Sequence, residues 1–200
     1  MSDSIRNRYE DEHGILEAVE DFSIFDGFSC GHCGIDNFLL KHAEKNQDEL
    51  LLRVYSYRLN LSDDDESVFS EPVAYVSMYN SVQNLEHYDI DEKGLNGPHA
   101  EDFGRSFPSV GLCNLAVKSE YQRNSIGTNI LNLIKRIFVT NNKTGCRFIS
   151  IQAIADPGIV KFYTKNDFEP TSAAAYGGDT VPMFCDLLRF KGLAPPGFSA

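Results

Sequence analysis

A short polar loop, Gln122 to Gly127, lies where the chain could bind a phosphorylated molecule. The strand-like run Val110 to Lys118 precedes this loop, and an amphipathic helix starts near Ser125. The first turn of a helix leaves its N–H groups without intrahelical partners and carries the positive end of the helix dipole. Such a position suits a phosphate or pyrophosphate. The spacing therefore predicts a phosphorylated cofactor at this loop.

The helix after the loop is predicted from the spacing of its apolar residues. They recur on one helical face: Ile126, Ile130, Leu133, Ile134, Ile137 and Phe138. Polar residues take the other face: Thr128, Asn129, Asn132, Lys135 and Arg136. Upstream, four residues indicate a strand buried on at least one side: Leu112, Cys113, Leu115 and Val117. The predicted unit is strand, turn, helix.

This unit resembles part of the GNAT superfamily of acyl-CoA N-acyltransferases. That family has a loop of the form R/Q-x-x-G-x-G/A after its fourth strand. Here Gln122, Gly127 and the spacing match, while Ser125 replaces the middle glycine. The segment Leu115 to Val117 is similar to the LAV sequence of the family's strand.

Two further segments carry the resemblance, which extends over most of the chain. Phe162 to Pro170 is similar to the family's F-Y-x-K-x-G-F-x-P, with Asp167 in place of the glycine. Phe28 to Gly31, Ile35 to Leu39 and Asn46-Gln47 are similar to the F-x-C-G … L-x-x-F/W-L … Q opening of one subgroup. That subgroup includes the acetyltransferase toxins of bacterial toxin/antitoxin pairs.

The resemblance implies an N-acetyltransferase that uses acetyl-CoA as cosubstrate and lets the acceptor amine attack the thioester directly. The loop amides would hold the pyrophosphate, and Arg123 would add positive charge. The strand backbone would pair with the pantetheine arm, and the amide of Val117 would polarise the thioester carbonyl. The implied cofactor-binding residues are Leu115, Ala116, Val117, Gln122, Arg123, Asn124, Ser125, Ile126, Gly127, Thr128, Asp156, Phe162 and Lys165.

Tyr163 matches the family's tyrosine, which implies a general acid for the departing thiolate. The alternative is a packing role beside Phe162 on a short helix. No general base stands out, although Glu101 and Asp102 precede the cofactor strand. Three polar side chains on predicted strands could position an amine or a water: Tyr79, Asn114 and Gln152.

The distribution of charge bears on the acceptor. The net charge is −11, and between Asn60 and Phe103 eleven acidic residues stand against one lysine. From Gly111 to Lys165 eight basic residues outnumber two acidic ones, in agreement with a polyanionic cosubstrate. The acidic segment favours a cationic acceptor, such as a polyamine, an aminoglycoside-like amine or a basic peptide. The toxin subgroup instead implies the amino group of charged tRNA, which demands a basic face.

A third hypothesis is that the chain is an acyl-CoA-binding or interaction domain that does not catalyse acetyl transfer. It stays open because the family pattern has glycine where this chain has Ser125 and Asp167, and a Cβ matters wherever the backbone needs positive φ. Release of free thiol from acetyl-CoA would separate an enzyme from such a domain.

The predicted fold is one GNAT-like domain of the α/β (α+β) class. Its mixed, mostly antiparallel sheet is splayed at the central strand and flanked by helices. The predicted boundaries are a flexible lead 1–13, the domain 14–190 with an acidic insert at about 83–108, and a loose tail 191–200. The predicted elements include a helix over 35–47, strands over 50–61, 72–82 and 148–154, and a helix that starts at Asp156-Pro157.

Five cysteines and no apolar leader are typical of a cytoplasmic protein with reduced thiols. The motif Cys30-Gly31-His32-Cys33 could begin a zinc site, but a second pair of ligands is missing, so a helix-start turn with a small buried thiol is favoured. No metal and no membrane partner are expected. Nucleic acid is expected only under the tRNA reading, and the resemblance leaves a homodimer and an antitoxin partner open.

Overall fold

The computed structural model describes residues 7–60, 71–85, 94–95, 104–140, 142, 144–171 and 178–192. These residues contain eight strands: β1 (Arg8–Glu10), β2 (Gly14–Ala18), β3 (Arg53–Leu59), β4 (Ala74–Asn84), β5 (Ser106–Val117), β6 (Phe148–Ile154), β7 (Glu169–Pro170) and β8 (Thr180–Asp186). They also contain four α-helices: α1 (Cys33–Lys41), α2 (Ala43–Asp48), α3 (Ile126–Thr140) and α4 (Pro157–Lys165).

The strands form a sheet in the order β1-β2-β3-β4-β5-β6-β8-β7. Antiparallel pairing joins β1 to β2, β2 to β3, β3 to β4, β6 to β8 and β7 to β8. The helix α3 connects β5 to β6. The predicted α+β class and the mostly antiparallel sheet are confirmed. The splay at the central strand and the domain limits 14–190 stay predictions.

The described residues fall into two compact units. One comprises Met1–Tyr79 and Leu112–Ile134, and the other comprises Asn80–Gly111 and Lys135–Ala200. In the first unit, the rings of Phe25, Phe28 and Tyr75 pack edge to face at 5.5 to 5.9 Å. Ala116 of β5 lies in the same core. Because successive strand residues point to opposite faces, the half-buried Leu115 and Val117 point away from that core.

The second unit has its own aromatic core. Phe148 of β6 packs edge to face against Phe107 of β5 and Phe184 of β8, at centroid distances of 6.1 and 5.6 Å. Beside this core, Arg147 Nε and Nη2 donate to the two carboxylate oxygens of the buried Asp186, at 2.7 and 2.9 Å. The three rings and the Arg147–Asp186 ion pair together hold the start of β6 against the end of β8.

The helix α3 confirms the predicted apolar face, because Ile126, Ile130, Leu133 and Ile134 are all buried. The placement of Lys135 on the polar face is wrong, since this residue is only 3% exposed. Its ammonium group has two partners inside the second unit, the carboxylate of Asp167 and the ring of Phe190. A long side chain with such partners can be buried despite its charge.

Three predicted boundaries can be compared with the described strands and helices. The lead 1–13 contains β1, which pairs with β2 and places Tyr9 opposite Leu16. The helix predicted over 35–47 is two helices that meet at His42. The insert at 83–108 overlaps both of its flanking strands, because β4 runs to Asn84 and β5 begins at Ser106. Among the helices of the described segments, none is long and apolar enough to span a membrane.

Candidate functional site

The loop after β5 exposes a row of backbone N–H groups. A 3-10 turn, Ser119–Tyr121, follows β5, and the loop then enters the 15-residue helix α3. The first helical hydrogen bond runs from the N–H of Asn129 to the oxygen of Ser125, 2.9 Å away. Within the described parts of the chain, the N–H groups from Arg123 to Thr128 have no protein acceptor. This row of donors lies where the helix dipole is positive.

The backbone of the loop alternates in handedness. Arg123 and Ser125 have left-handed φ values of 65° and 62°, and Asn124 between them does not. Alternation of right- and left-handed residues turns successive N–H groups into one anion-binding concavity. Ser125 therefore occupies a conformation that favours glycine, at a cost of roughly 1 kcal/mol. The departure from the family glycine is accordingly a point of backbone strain.

Gln122 ties this loop to the N-terminal part of the first unit. Its Nε2 donates to the backbone oxygens of Cys30 and Val117, at 2.8 and 3.0 Å. The N–H of Ser119 donates to the oxygen of Ser29 at 2.9 Å. The amide of Gln122 is itself used, because it donates to the oxygen of Ser119 at 3.4 Å. The free donors thus begin at Arg123, one residue later than the resemblance implies.

The cysteine-containing segment beneath the loop is a helix-start turn, as favoured from the sequence. The carboxylate of Asp36 accepts from the hydroxyl of Ser29 at 2.7 Å and from the N–H of Cys30 at 2.9 Å. Partial burial opposes ionisation of Asp36, but the hydrogen bonds from Cys30 and Ser29 outweigh it and lower its pKa. Burial, with Asp36 nearby, raises the pKa of the Cys30 thiol to about 11. His32 caps α1, and all five cysteines are free.

Lys118 neutralises acid beside the loop. Its ammonium lies 2.9 Å from Glu120 and 3.0 Å from Glu71, and hydrogen bonds to Glu120 and Glu71 raise its pKa. Glu71 belongs to the acidic segment between Asn60 and Phe103. The other acids of that segment, including both general-base candidates, lie outside the described residues: Asp63, Asp64, Asp65, Glu66, Glu86, Asp89, Asp91, Glu92, Glu101 and Asp102.

The three polar strand residues considered for the acceptor side lie in different surroundings. Tyr79 of β4 is 38% exposed. The N–H of Asn114 on β5 donates to the hydroxyl of Ser77 at 3.2 Å. Gln152 of β6 is exposed, and its amide oxygen accepts from Thr180 at 3.4 Å. Asn114 belongs to the first unit and Gln152 to the second.

The helix α4 begins as predicted and carries Tyr163 into the core of the second unit. Asp156 accepts from the N–H groups of Gly158 and Ile159 at 2.8 and 3.0 Å, and Pro157 occupies the first turn. Tyr163 is 5% exposed, and its ring packs against Phe162 and Phe168 at 5.0 and 5.4 Å. Burial raises the pKa of Tyr163, so the phenol keeps its proton at neutral pH.

The opposite side of α4 faces an open, mostly apolar groove of about 540 Å³. Lys161 and Lys165, one helical turn apart and both exposed, line it together with Val160 and Val181. The sequence-derived site residues therefore divide between the units. The loop and Leu115 to Val117 belong to the first unit, and those of α4 and its cap belong to the second: Asp156, Phe162, Tyr163 and Lys165.

Comparison with known proteins identifies the fold. No family model and no curated protein matches the sequence. A tyrosine-to-phenylalanine variant of KacT has a TM-score of 0.67 at 17% identity, with 91% of this chain and 99% of that chain covered. AtaT complexed with acetyl-methionyl-tRNAfMet has a TM-score of 0.67 at 16% identity, with coverages of 89% and 97%. AtaTR bound with acetyl-CoA has a TM-score of 0.60 at 17% identity, with coverages of 92% and 99%. The chain therefore has the same fold as KacT and AtaT.

Proposed function

We propose that this chain is an acetyltransferase that moves the acetyl group of acetyl-CoA to the amino group of an aminoacyl-tRNA. The observation that carries the proposal is the row of free N–H groups from Arg123 to Thr128, between β5 and α3. Structures of AtaT, which has the same fold, contain acetyl-methionyl-tRNAfMet in one case and acetyl-CoA in another.

The residues of the first unit fit a phosphorylated cosubstrate. Six consecutive amides and the side chain of Arg123 would bind the pyrophosphate. Leu115 and Val117, on the face of β5 opposite Ala116, would line the pantetheine arm, and the amide of Val117 would polarise the thioester carbonyl. Bound acetyl-CoA supplies the activated acyl group. In the second unit, Asp156, Phe162 and the exposed cation of Lys165 are the further proposed contacts.

Tyr163 is the proposed general acid. The amine nitrogen bonds to the acetyl carbon, the carbon–sulfur bond breaks, and Tyr163 gives its proton to the sulfur that leaves. The proton lost by the amine goes to water or to a base, and a proton from water restores the Tyr163 phenol. A phenol holds its proton at neutral pH, as a general acid must, and burial raises the pKa of Tyr163 further, which makes the phenol a weaker acid. Structures of both KacT and AtaT have been solved with one tyrosine changed to phenylalanine, the substitution that tests Tyr163 here.

Aminoacyl-tRNA is preferred over a small cationic amine as the acceptor for two reasons. The structural neighbours include a complex with acetylated tRNA, and Glu71, the described member of the acidic segment, is already paired with Lys118. A polyamine or another cationic amine stays the second candidate, because the net charge of −11 would repel RNA.

AtaT binds the C-terminus of the antitoxin AtaR, so a cognate antitoxin is a proposed partner. A homodimer and a cytoplasmic location also stay proposals.

One acceptor panel tests the proposal. Thiol release from acetyl-CoA would be measured with aminoacyl-tRNA, uncharged tRNA, polyamines, amino sugars and basic peptides. We expect release with aminoacyl-tRNA and none with uncharged tRNA, which has no amino-acid amine. Preference for a polyamine would overturn the acceptor assignment. No release with any acceptor, in a folded protein that binds acetyl-CoA, would indicate a domain without turnover.

Tyr163→Phe tests the general acid. We expect kcat to fall on the order of a hundredfold while the Kd for acetyl-CoA stays within about twofold. The matched control is Tyr55→Phe, which removes the hydroxyl of a half-buried tyrosine on β3. Full activity of Tyr163→Phe would reduce Tyr163 to a packing residue.

A further inference from the structure

The residue that follows the cap of α4 adopts a conformation that its side chain does not favour. Asp167 has φ of 69°, in the left-handed region. A residue with a Cβ pays roughly 1 kcal/mol there, and the GNAT-like sequence pattern has glycine at this position. Aspartate is one of the few non-glycine residues that reach this region readily, and here its carboxylate also has a partner.

That partner is the buried ammonium of Lys135. Lys135 Nζ donates to Asp167 Oδ2 at 2.6 Å, and the lysine side chain is 4% exposed while that of Asp167 is 50% exposed. The same Nζ lies 4.8 Å from the centroid of the Phe190 ring. A buried charge without a partner is strongly destabilising, so Asp167 is the group that permits Lys135 to be buried.

The turn that this ion pair holds is in direct contact with Tyr163. The N–H groups of Asn166 and Phe168 donate to the backbone oxygen of Tyr163 at 2.9 and 3.1 Å. The side-chain amide of Asn166 donates to the oxygen of Phe162 at 2.8 Å. The ring of Phe168 packs edge to face on the ring of Tyr163. Asp167 lies between these two contact residues, so its φ sets the direction from which Phe168 meets the phenol.

We propose that Lys135 and Asp167 are positioning residues, whose ion pair fixes the turn at residues 166–168 and thereby the orientation of the Tyr163 ring. The inference rests on the proposed role of Tyr163 in acetyl transfer. The contacts on Tyr163 come from the backbone and from Phe168, so the pair acts through them and touches no substrate. A small displacement of a catalytic group has a large effect on rate, so loss of the pair should lower kcat without weakening acetyl-CoA binding.

Asp167→Asn is the variant that tests the pair. Asparagine keeps the shape of aspartate and tolerates the left-handed region, so the change removes the charge and leaves the backbone preference intact. We expect kcat to fall about tenfold in the parent protein and less than about twofold in the Tyr163→Phe background, because coupled residues are non-additive. The Kd for acetyl-CoA should stay within about twofold in both. Equal losses in the two backgrounds would overturn the inference.

A second readout does not depend on activity. Carbon-13 labelling of tyrosine Cζ, with the Tyr163 signal assigned by its loss in Tyr163→Phe, reports the surroundings of the phenol. We expect this signal to shift in Asp167→Asn, and an unchanged signal in the folded variant would refute the positioning role. If Tyr163→Phe is fully active, the proposed chemistry fails, and the shift still decides whether the pair orients the ring.

Two further variants control for folding and for local charge. Lys135→Met combined with Asp167→Asn removes both charges, so it avoids an unpaired buried ammonium and should fold. We expect it to show the same Tyr163 shift and the same loss of kcat as Asp167→Asn. The matched control is Arg189→Gln, which breaks the exposed Arg189–Glu169 ion pair close to the same turn and should leave both readouts unchanged.

Discussion

The side-chain nitrogen Nε2 of Gln122 lies 2.8 Å from the backbone oxygen of Cys30, a residue 92 positions earlier in the chain. The same nitrogen donates to the oxygen of Val117, at the end of β5. One amide group therefore joins the strand, the start of the proposed pyrophosphate loop and the helix-start turn at Cys30. A loop held at its base in this way keeps its free N–H groups pre-organised for an anion.

Gln122→Ala should weaken acetyl-CoA binding. Two hydrogen bonds of about 1 kcal/mol each hold the loop, and the cosubstrate would have to order the loop once they are lost. We expect the Kd from calorimetry to rise about tenfold, with little change in kcat. Glu120→Gln is the control, because it alters a neighbouring exposed side chain while Lys118 keeps Glu71. A normal Kd for Gln122→Ala would mean that the loop holds its shape without this tie.

Ser125→Gly should stabilise the protein. It removes the Cβ from a residue with φ of 62°, and the gain of roughly 1 to 2 kcal/mol is partly offset by the greater freedom of glycine in the unfolded chain. We expect a net gain of about 0.5 to 1 kcal/mol in urea unfolding, together with tighter acetyl-CoA binding. Ser125→Ala keeps the strain and is the comparison. If alanine stabilises as much as glycine, strain at this residue is not the cause.

Local patterns of the sequence predict a large part of this fold. The buried face of α3 follows from the spacing of Ile126, Ile130 and Ile134, because helical periodicity depends only on neighbouring residues. The cap of α4 follows from Asp156 and Pro157 for the same reason. The resemblance also identifies Ser125 and Asp167 as departures from glycine, and both have positive φ.

Contacts between distant segments explain what the sequence does not predict. Periodicity assigns Lys135 to the solvent face, whereas its burial depends on two distant partners, Asp167 and the ring of Phe190. The bond from Gln122 to Cys30 likewise depends on how separate segments meet. In the sequence, the ion pair is indicated only by Asp167, which stands where the family pattern has glycine. The sequence does not give the φ of that residue.

Breaking the buried ion pair of Arg147 should cost far more than breaking an exposed one. Asp186 accepts two bonds from the guanidinium, and its side chain is 6% exposed. Asp186→Asn removes the buried carboxylate that accepts both bonds, so we expect a loss of about 3 kcal/mol in the free energy of unfolding. Glu10→Gln, which breaks the exposed pair with Arg8, should cost less than about 0.5 kcal/mol. Similar losses for the two variants would show that the burial of Asp186 contributes little.

Alkaline pH should unfold the protein through its buried tyrosines. Burial raises the pKa of Tyr55 to about 12, and it raises the pKa values of Tyr57, Tyr75 and Tyr163 as well. The unfolded chain releases these protons near pH 10, whereas the folded chain retains them. The stability is therefore fully present below about pH 10 and is lost as the pH rises further.

The chain has nine tyrosines and no tryptophan, so the ultraviolet absorbance of tyrosinate reports this titration cleanly. We expect the buried tyrosines to ionise above pH 10, together with the loss of far-ultraviolet circular dichroism. Tyr163→Phe should move this transition to higher pH. The variant has one phenol fewer whose ionisation in the unfolded chain drives unfolding. Ionisation of every tyrosine in a single step near pH 10, with the circular dichroism intact, would contradict the burial of Tyr57, Tyr75 and Tyr163.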